Sequence, residues 1–118
     1  MEDVSFITTE DNDDLIVSFA IPVSDYADVK SLTLLRTPKY EFILDAAERG
    51  VSVSYDDFPD DEDDLLEEIE IEEDVVKITI SHRRYALNVQ DVDDEEVKRA
   101  MKTLKKTNFD QRFKLSIL

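Results

Sequence analysis

The stretch DDEEVKRAMKTLKKTN, residues 93–108, contains the clearest structural signal in the chain. Its apolar residues recur at the spacing of one helical face, at Val97, Ala100, Met101 and Leu104. Asp93, followed three residues later by Glu96, is the pattern of a capping box at a helix N-terminus. Acidic residues fill the first turn and lysines fill the last, an order that complements the helix dipole. The stretch therefore predicts an amphipathic α-helix.

Much of the remaining chain alternates apolar and polar residues, as β-strands with one buried face do. The clearest candidates span residues 4–9, 15–21, 32–35, 51–55, 76–80, 85–89 and 113–117. The segments 76–80 and 85–89 form either two strands joined around His82 and Arg83 or one long bent strand. We expect a single α+β domain over residues 1–118, built on an antiparallel sheet of about six to seven short strands.

Residues 38–49 carry two competing patterns. A helical stripe would contain Tyr40, Ile43, Leu44 and Ala47. A strand alternation would contain Tyr40, Phe42 and Leu44. Pro38 suits the first position of a helix, and Gly50, the only glycine in the chain, suits the position just after its end. A second helix is slightly favoured over a strand.

The composition of the 118-residue chain fits one compact domain. Hydrophobic residues make up 42% of the sequence, enough to close a single core. Cysteine is absent, which excludes disulfides and thiolate chemistry and favours a reducing compartment. The beginning of the sequence is acidic where a secretory signal is basic, and no apolar run approaches the roughly 20 residues of a membrane span. We therefore expect a cytoplasmic protein without a membrane partner.

Charge is distributed unevenly along the chain. The whole sequence has 30 acidic and 14 basic residues, a net charge of −16. Residues 1–74 contain 24 acidic and four basic residues, whereas residues 75–118 contain six acidic and ten basic residues. Between positions 56 and 74, 13 of 19 residues are Asp or Glu and none is Lys or Arg. We expect a mobile acidic loop around residues 56–64, because 60–64 offers no apolar side chain to offset the entropy of ordering.

The residues that common catalytic sites require are largely missing. His82 is the only histidine, and no strained Gly-x-Ser-x-Gly turn is present, so a serine hydrolase is disfavoured. A chain with one glycine cannot supply a phosphate-binding loop or a dinucleotide fingerprint. The acidic run 60–64 offers oxygen ligands but lacks the spacing and the glycine of an EF-hand. The sequence therefore predicts no cofactor and no built metal site.

The leading hypothesis is a non-enzymatic protein-interaction module that docks on a basic protein partner through its acidic surface. Immunity proteins, nuclease inhibitors and polyanion mimics share this logic, because a strong negative potential accelerates encounter with a basic partner. The predicted partner-binding residues are Asp56, Asp57, Asp60, Asp61, Glu62, Asp63, Asp64, Glu67 and Glu68. The net charge argues against a nucleic-acid partner, although the helix at 93–108 is itself rich in basic residues.

Two alternatives and one additional association remain open. The acidic residues could serve solubility or adaptation to concentrated salt. The chain could instead be a small enzyme or ligand carrier with a carboxylate site, which would require two acids in separated environments within a cleft. A homodimer could also form through the edge of the C-terminal strand, because an uncovered strand edge can pair with its own copy.

Overall fold

The protein consists of short strands and one long helix, which lies between the last two strands. The structure, a computed structural model, describes residues 1–23, 28–57 and 64–117. Within these ranges the chain forms nine strands: β1 Glu2–Asp3, β2 Phe6–Asp11, β3 Leu15–Pro22, β4 Val29–Arg36, β5 Ser52–Tyr55, β6 Glu68–Glu72, β7 Val75–Ile80, β8 Arg83–Asn88 and β9 Lys114–Ile117. Helix α1 spans Asp94–Thr107, and two short 3₁₀ helices span Pro38–Ile43 and Ala46–Glu48.

The strands divide between two sheets. Sheet I has the order β2-β3-β4-β5 and is antiparallel throughout. Sheet II has the order β1-β8-β7-β6-β9, in which the β1–β8 and β6–β9 pairs are parallel. The α+β class is confirmed, and the strand count is higher than expected because β1 and β6 were not counted from the sequence. Separate strands at β7 and β8 resolve the alternative of one bent strand.

The hydrophobic core lies where the two sheets and α1 meet. Leu32 of sheet I and Ile69 and Ile78 of sheet II are fully buried in one continuous cluster. Helix α1 adds Ala100 and Leu104 to this cluster, and it packs against β2 and β3. Because successive side chains of a strand point to opposite faces, each strand that lines the core also presents an outer face to solvent.

The N-terminus of α1 is capped in a way that the sequence predicted only in part. Asp93 is the capping residue, and its Oδ1 accepts a hydrogen bond from the backbone N–H of Glu95 at 2.8 Å. Glu96 does not complete the expected capping box. Its Oε1 accepts the backbone N–H of Ile7 at 2.8 Å instead. Ile7 lies on β2, an edge strand of sheet I, so Glu96 satisfies a donor that a sheet edge would otherwise leave unpaired.

Residues 38–49 form neither the favoured α-helix nor a strand, but the two short 3₁₀ helices. Thr37 precedes the first of them without a capping hydrogen bond, and its hydroxyl donates to Asp14 at 2.6 Å instead. Gly50 has a positive φ of 144°, a backbone conformation that L-residues rarely adopt. The side chains of the expected helical stripe are largely exposed, so this segment does not follow the usual apolar-inward pattern.

The expected acidic loop falls mostly outside the described residues. Of the range 56–64, positions 58–63 belong to the gap, whereas Asp56, Asp57 and Asp64 are described. No helix in the part of the chain that the structure describes is long and apolar enough to cross a membrane.

The Glu96 contact can be tested directly. We expect Glu96→Ala to lower the free energy of unfolding by about 1–3 kcal/mol, because the change leaves the Ile7 N–H without its acceptor. Glu96→Gln keeps an acceptor oxygen and should retain most of that stability. Amide hydrogen exchange at Ile7 should accelerate in the alanine variant and stay slow in the glutamine variant. Equal exchange rates in all three proteins would contradict the assigned contact.

Candidate functional site

Arg36 ends β4 on the core side of sheet I, and it is 1% exposed. All five of its N–H donors are used. Nε and Nη2 donate to the two carboxylate oxygens of Glu41, both at 2.8 Å. Nη1 and Nη2 donate to the two carboxylate oxygens of Asp110 at 2.8 and 2.9 Å. The remaining Nη1 donor binds the carbonyl of Thr107 at 2.7 Å. A buried arginine is therefore fully paired.

These contacts shift the pKa values of Arg36 and Asp110. Burial opposes the charge of Arg36, but its hydrogen bonds to Asp110 and Glu41 outweigh that effect and raise the pKa of the guanidinium above its usual value. The hydrogen bond from Arg36 lowers the pKa of the Asp110 carboxyl well below its usual range. Burial opposes this shift, and a second hydrogen bond from Arg112 adds to it. Arg36 and Asp110 thus both stay ionised across the physiological range.

We call Arg36, Glu41, Asp110 and the Thr107 carbonyl the Arg36 cluster. It joins two stretches of the chain that are distant in sequence, residues 36–46 and residues 107–112. Glu41 belongs to the first 3₁₀ helix, Thr107 ends α1, and Asp110 lies in the turn after α1. Arg112 donates to Asp110 and also to the carbonyl of Ala46 in the second 3₁₀ helix. The guanidinium carbon of Arg36 also lies 4.2 Å from the centre of the exposed Phe109 ring.

The orientation of Glu41 determines what the first 3₁₀ helix exposes. Glu41 is 8% exposed because it binds Arg36, whereas its apolar neighbours Phe42 and Ile43 are 77% and 71% exposed. Tyr40 is 55% exposed. The segment therefore has its acid inside and its apolar side chains outside, the reverse of an ordinary surface helix. We call Tyr40, Phe42, Ile43 and Leu44 the apolar ridge.

A shallow hollow of about 260 Å³ lies beside the apolar ridge. Leu35, Ile43, Leu44 and Leu65 supply much of its apolar lining, and the Arg36–Glu41 pair lies at its polar side. Small-molecule sites are typically deeper clefts of about 300–1,000 Å³. An exposed apolar ridge beside a shallow hollow is instead typical of protein–protein contact surfaces, where side chains of one protein fit into hollows of the other.

The predicted partner-binding acids belong to the end of β5, the start of β6 and the chain segment that joins them. Asp56 and Asp57 follow β5, where Asp56 accepts the Ser31 N–H at 2.9 Å and Asp57 pairs with Lys30 at 2.8 Å. The hydrogen bond to Asp57 raises the pKa of Lys30. These two acids thus fasten the start of β4 as well as adding negative charge.

The stretch that leads into β6 contains three more of these acids, Asp64, Glu67 and Glu68. The carbonyl of Asp64 accepts the Val53 N–H at 3.0 Å, which joins this segment to β5. Glu67 precedes β6 and is exposed, and Glu68 is half-buried at the start of β6, opposite Lys114 of β9. The four remaining predicted residues, Asp60, Asp61, Glu62 and Asp63, lie outside the described residues.

His82 lies on an exposed turn between β7 and β8. Its Nδ1 is 3.1 Å from the Ser81 hydroxyl, and its Nε2 is 3.4 Å from the Asp64 carboxylate. The three residue types are those of a catalytic triad, but the His82 side chain is 50% exposed. Nucleophilic catalysis depends on a water-excluded setting in which charge can be stabilised. The contacts instead link the β7–β8 turn to the start of the segment that leads into β6.

No group of three or more metal-ligating side chains occurs within residues 1–23, 28–57 and 64–117. Most of the acidic run 60–64 considered from the sequence falls outside these ranges.

Neither the Arg36 cluster nor the apolar ridge was predicted from the sequence. One signal could have revealed the first. Leu32, Leu34 and Arg36 alternate along one strand, which places Arg36 on the buried face and requires acidic partners for it. The ridge had no comparable signal, because its exposure follows from a contact between Arg36 and Glu41.

Models of known protein families, curated protein sequences and solved structures give no match to this chain.

Removing the central cation should destabilise the protein strongly. We expect Arg36→Ala to lower the free energy of unfolding by about 3–5 kcal/mol, because Glu41 would remain buried without its partner. Arg36→Lys keeps the charge but lacks the planar fork, so it should lose an intermediate amount. Urea denaturation of the three proteins measures the differences. A loss below about 1 kcal/mol for Arg36→Ala would contradict the role assigned to the cluster.

The lowered pKa of Asp110 predicts a specific dependence on pH. Ionised Asp110 stabilises the folded state fully above the unfolded-state pKa of about 3.9, and this contribution is lost as the pH falls below that value. Asp110→Asn removes the contribution, so the variant should lose stability less steeply than the wild type between pH 5 and pH 2. Denaturation at a series of pH values tests this. Asp91→Asn, on the exposed turn before α1, is the matched control and should follow the wild-type slope.

Proposed function

We propose that this chain is a non-enzymatic protein-interaction module of the inhibitor or immunity type, and that its partner is a basic protein. The observation that carries the proposal is the exposure of the apolar ridge while Glu41 is held inside. Phe42 and Ile43 are adjacent, and they are 77% and 71% exposed. Exposed apolar side chains that lie together in this way are typical of protein interfaces.

The charge of the chain supports a basic protein as the partner. A net charge of −16 on 118 residues produces a negative potential that attracts a basic protein and repels an acidic one. Acids also lie near the ridge, since Asp45 follows Leu44 directly and Asp13 pairs with Lys39 at 3.2 Å. In this proposal the ridge supplies short-range contact and the carboxylates supply long-range attraction.

The predicted acidic residues keep a part in this proposal, but as a rim rather than as the centre. Charged side chains are depleted at the core of interfaces and common at their edges. Asp56 and Asp57 already bind Ser31 and Lys30. In this proposal they attract a partner through their charge and keep these contacts in the complex. A cytoplasmic location, in which a chain without cysteine needs no disulfide, belongs to the same proposal.

The ridge is tested by the double variant Phe42→Ser/Ile43→Ser. Both side chains are exposed, so the free energy of unfolding should stay within about 0.5 kcal/mol of the wild type. Immobilised wild-type protein should capture a basic protein from a lysate of the native host, and the double variant should not. Ile117→Ser, which changes an exposed apolar residue of β9, is the control and should capture the same protein.

Kinetics with the purified partner separate the two contributions. The association rate should fall steeply as salt rises, because screening removes the long-range attraction. The double variant should mainly raise the dissociation rate. Capture of no basic protein, equal capture by the double variant, or an association rate that ignores salt would each contradict the proposal.

A further inference from the structure

The C-terminal part of this acidic chain is positively charged. Residues 97–118 contain seven basic residues and one acidic residue, a net charge of +6. Residues 1–96 contain seven basic and 29 acidic residues, a net charge of −22. Helix α1 carries five of the seven C-terminal bases, and Lys114 lies on β9. Positive charge is thus concentrated on the last turns of α1 and on the segment that follows it.

A pocket of about 370 Å³ lies within this positively charged region. It is formed by the end of α1, the turn after α1 and the start of β9. Its lining residues are Lys105, Asn108, Gln111, Phe113, Lys114 and Leu115. Its volume falls in the range of about 300–1,000 Å³ that small-molecule sites occupy. We call it the basic pocket.

The lining of the basic pocket contains no carboxylate among the residues that the structure describes. Other cavities of the protein differ in this respect. The hollow beside the apolar ridge, a pocket on sheet II and a pocket beside β2 each include at least one glutamate. In a chain with 30 acidic residues, the basic pocket therefore presents an environment suited to an anion.

The two lysines of the basic pocket have no acidic partner in the described part of the chain. Another lysine of α1, Lys106, pairs with Asp11. The ion pairs of the described residues include neither Lys105 nor Lys114. Lys114 lies opposite Glu68 in the strand register and still forms no ion pair with it. Two ammonium groups are thus available to an anion from outside.

Two carboxamides add neutral hydrogen-bond donors. The Oδ1 atom of Asn108 accepts the Phe113 N–H at 3.3 Å, which fixes the carboxamide and leaves the two Nδ2 donors available. Gln111 has a positive φ of 55°, and its N–H donates to the Asn108 carbonyl at 3.0 Å. Its side chain supplies a second carboxamide to the lining. The pocket therefore combines two cations with two amide groups.

The position of the pocket at a helix C-terminus does not prevent anion binding. Free carbonyl groups at such an end repel anions. Here the Thr107 carbonyl binds the Arg36 guanidinium, and the Leu104 and Lys105 carbonyls both accept the Asn108 N–H. Because these carbonyls are already paired, much of their negative potential is offset within the protein.

We propose that the basic pocket binds the phosphate group of a small organic phosphomonoester. A phosphomonoester carries a charge of about −1.5 to −2 at pH 7 and three strong acceptor oxygens, which match two ammonium groups and two carboxamides. A carboxylate offers one charge and two oxygens. Buried Phe113 and half-buried Leu115 give the organic part of the ligand apolar contacts. This proposal does not rest on the role assigned to the apolar ridge.

Titration followed by two-dimensional NMR tests the proposal, with phenyl phosphate, inorganic phosphate and benzoate as probes at pH 7.5. Phenyl phosphate should bind with a dissociation constant of about 1 mM and shift the side-chain amide signals of Asn108 and Gln111. Inorganic phosphate should bind several-fold more weakly, and benzoate about tenfold more weakly. Lys105→Gln and Lys114→Gln should each raise the dissociation constant about five- to tenfold. Both lysines are exposed, so these variants should fold normally.

Lys102→Gln is the matched control, because Lys102 is an exposed base of α1 outside the pocket lining. Its dissociation constant for phenyl phosphate should stay within about twofold of the wild type, since screening limits the effect of a distant charge. Four outcomes would overturn the proposal: no binding of phenyl phosphate, equally tight binding of inorganic phosphate, equally tight binding of benzoate, or equal weakening by Lys102→Gln and Lys105→Gln. The double variant Phe42→Ser/Ile43→Ser should bind phenyl phosphate as the wild type does.

Discussion

The burial of Arg36 is the constraint on which the most irregular part of this structure depends. A guanidinium removed from water must have its donors paired, because an unpaired buried charge costs several kcal/mol. Glu41, Asp110 and the Thr107 carbonyl provide that pairing, and they come from two stretches that are distant in sequence. The turn after α1 and the segment between β4 and β5 are therefore fixed relative to each other by one side chain. The exposure of Phe42 and Ile43 follows from the same contact, since a short 3₁₀ helix cannot turn Glu41 inward and bury both of its neighbours.

The two sheets distribute charge in opposite ways, although both share one core. The outer face of sheet II carries Glu68 and Glu70 on β6, and Lys77 lies opposite Glu70 on β7, as is common on a solvated surface. The outer face of sheet I carries hydroxyl and apolar side chains, with its single acid at an edge. The large negative charge of the chain is thus not a uniform coat. It leaves the apolar ridge and the outer face of sheet I with few charged side chains.

Local signals in the sequence predicted most of the regular elements. Helix α1 and the strands with clear alternation could be found because one face of each element is apolar at the right period. The division into two sheets and the parallel β6–β9 pair could not be found, since they depend on contacts between residues far apart in the chain. Glu96 illustrates the same limit. Its spacing from Asp93 is that of a capping box, yet its carboxylate binds Ile7, 89 residues away. The site was less predictable than the fold, because the apolar ridge exists only once Arg36 has bound Glu41.

The segment 38–49 shows why pattern alone failed there. Its apolar residues fit both a helical stripe, which was slightly favoured, and a strand alternation, as is expected of a segment in which no face is selected for burial. In the folded chain the inward position belongs to Glu41, and the neighbouring apolar side chains face solvent. A buried ion pair adds little net stability compared with well-packed apolar residues of the same volume. Apolar residues in place of both Arg36 and Glu41 would remove the contact that orients the first 3₁₀ helix, and Phe42 or Ile43 could then turn toward the core. The ionic cluster thus fixes a conformation more than it adds stability, and the conformation that it fixes is the one in which the apolar ridge is exposed.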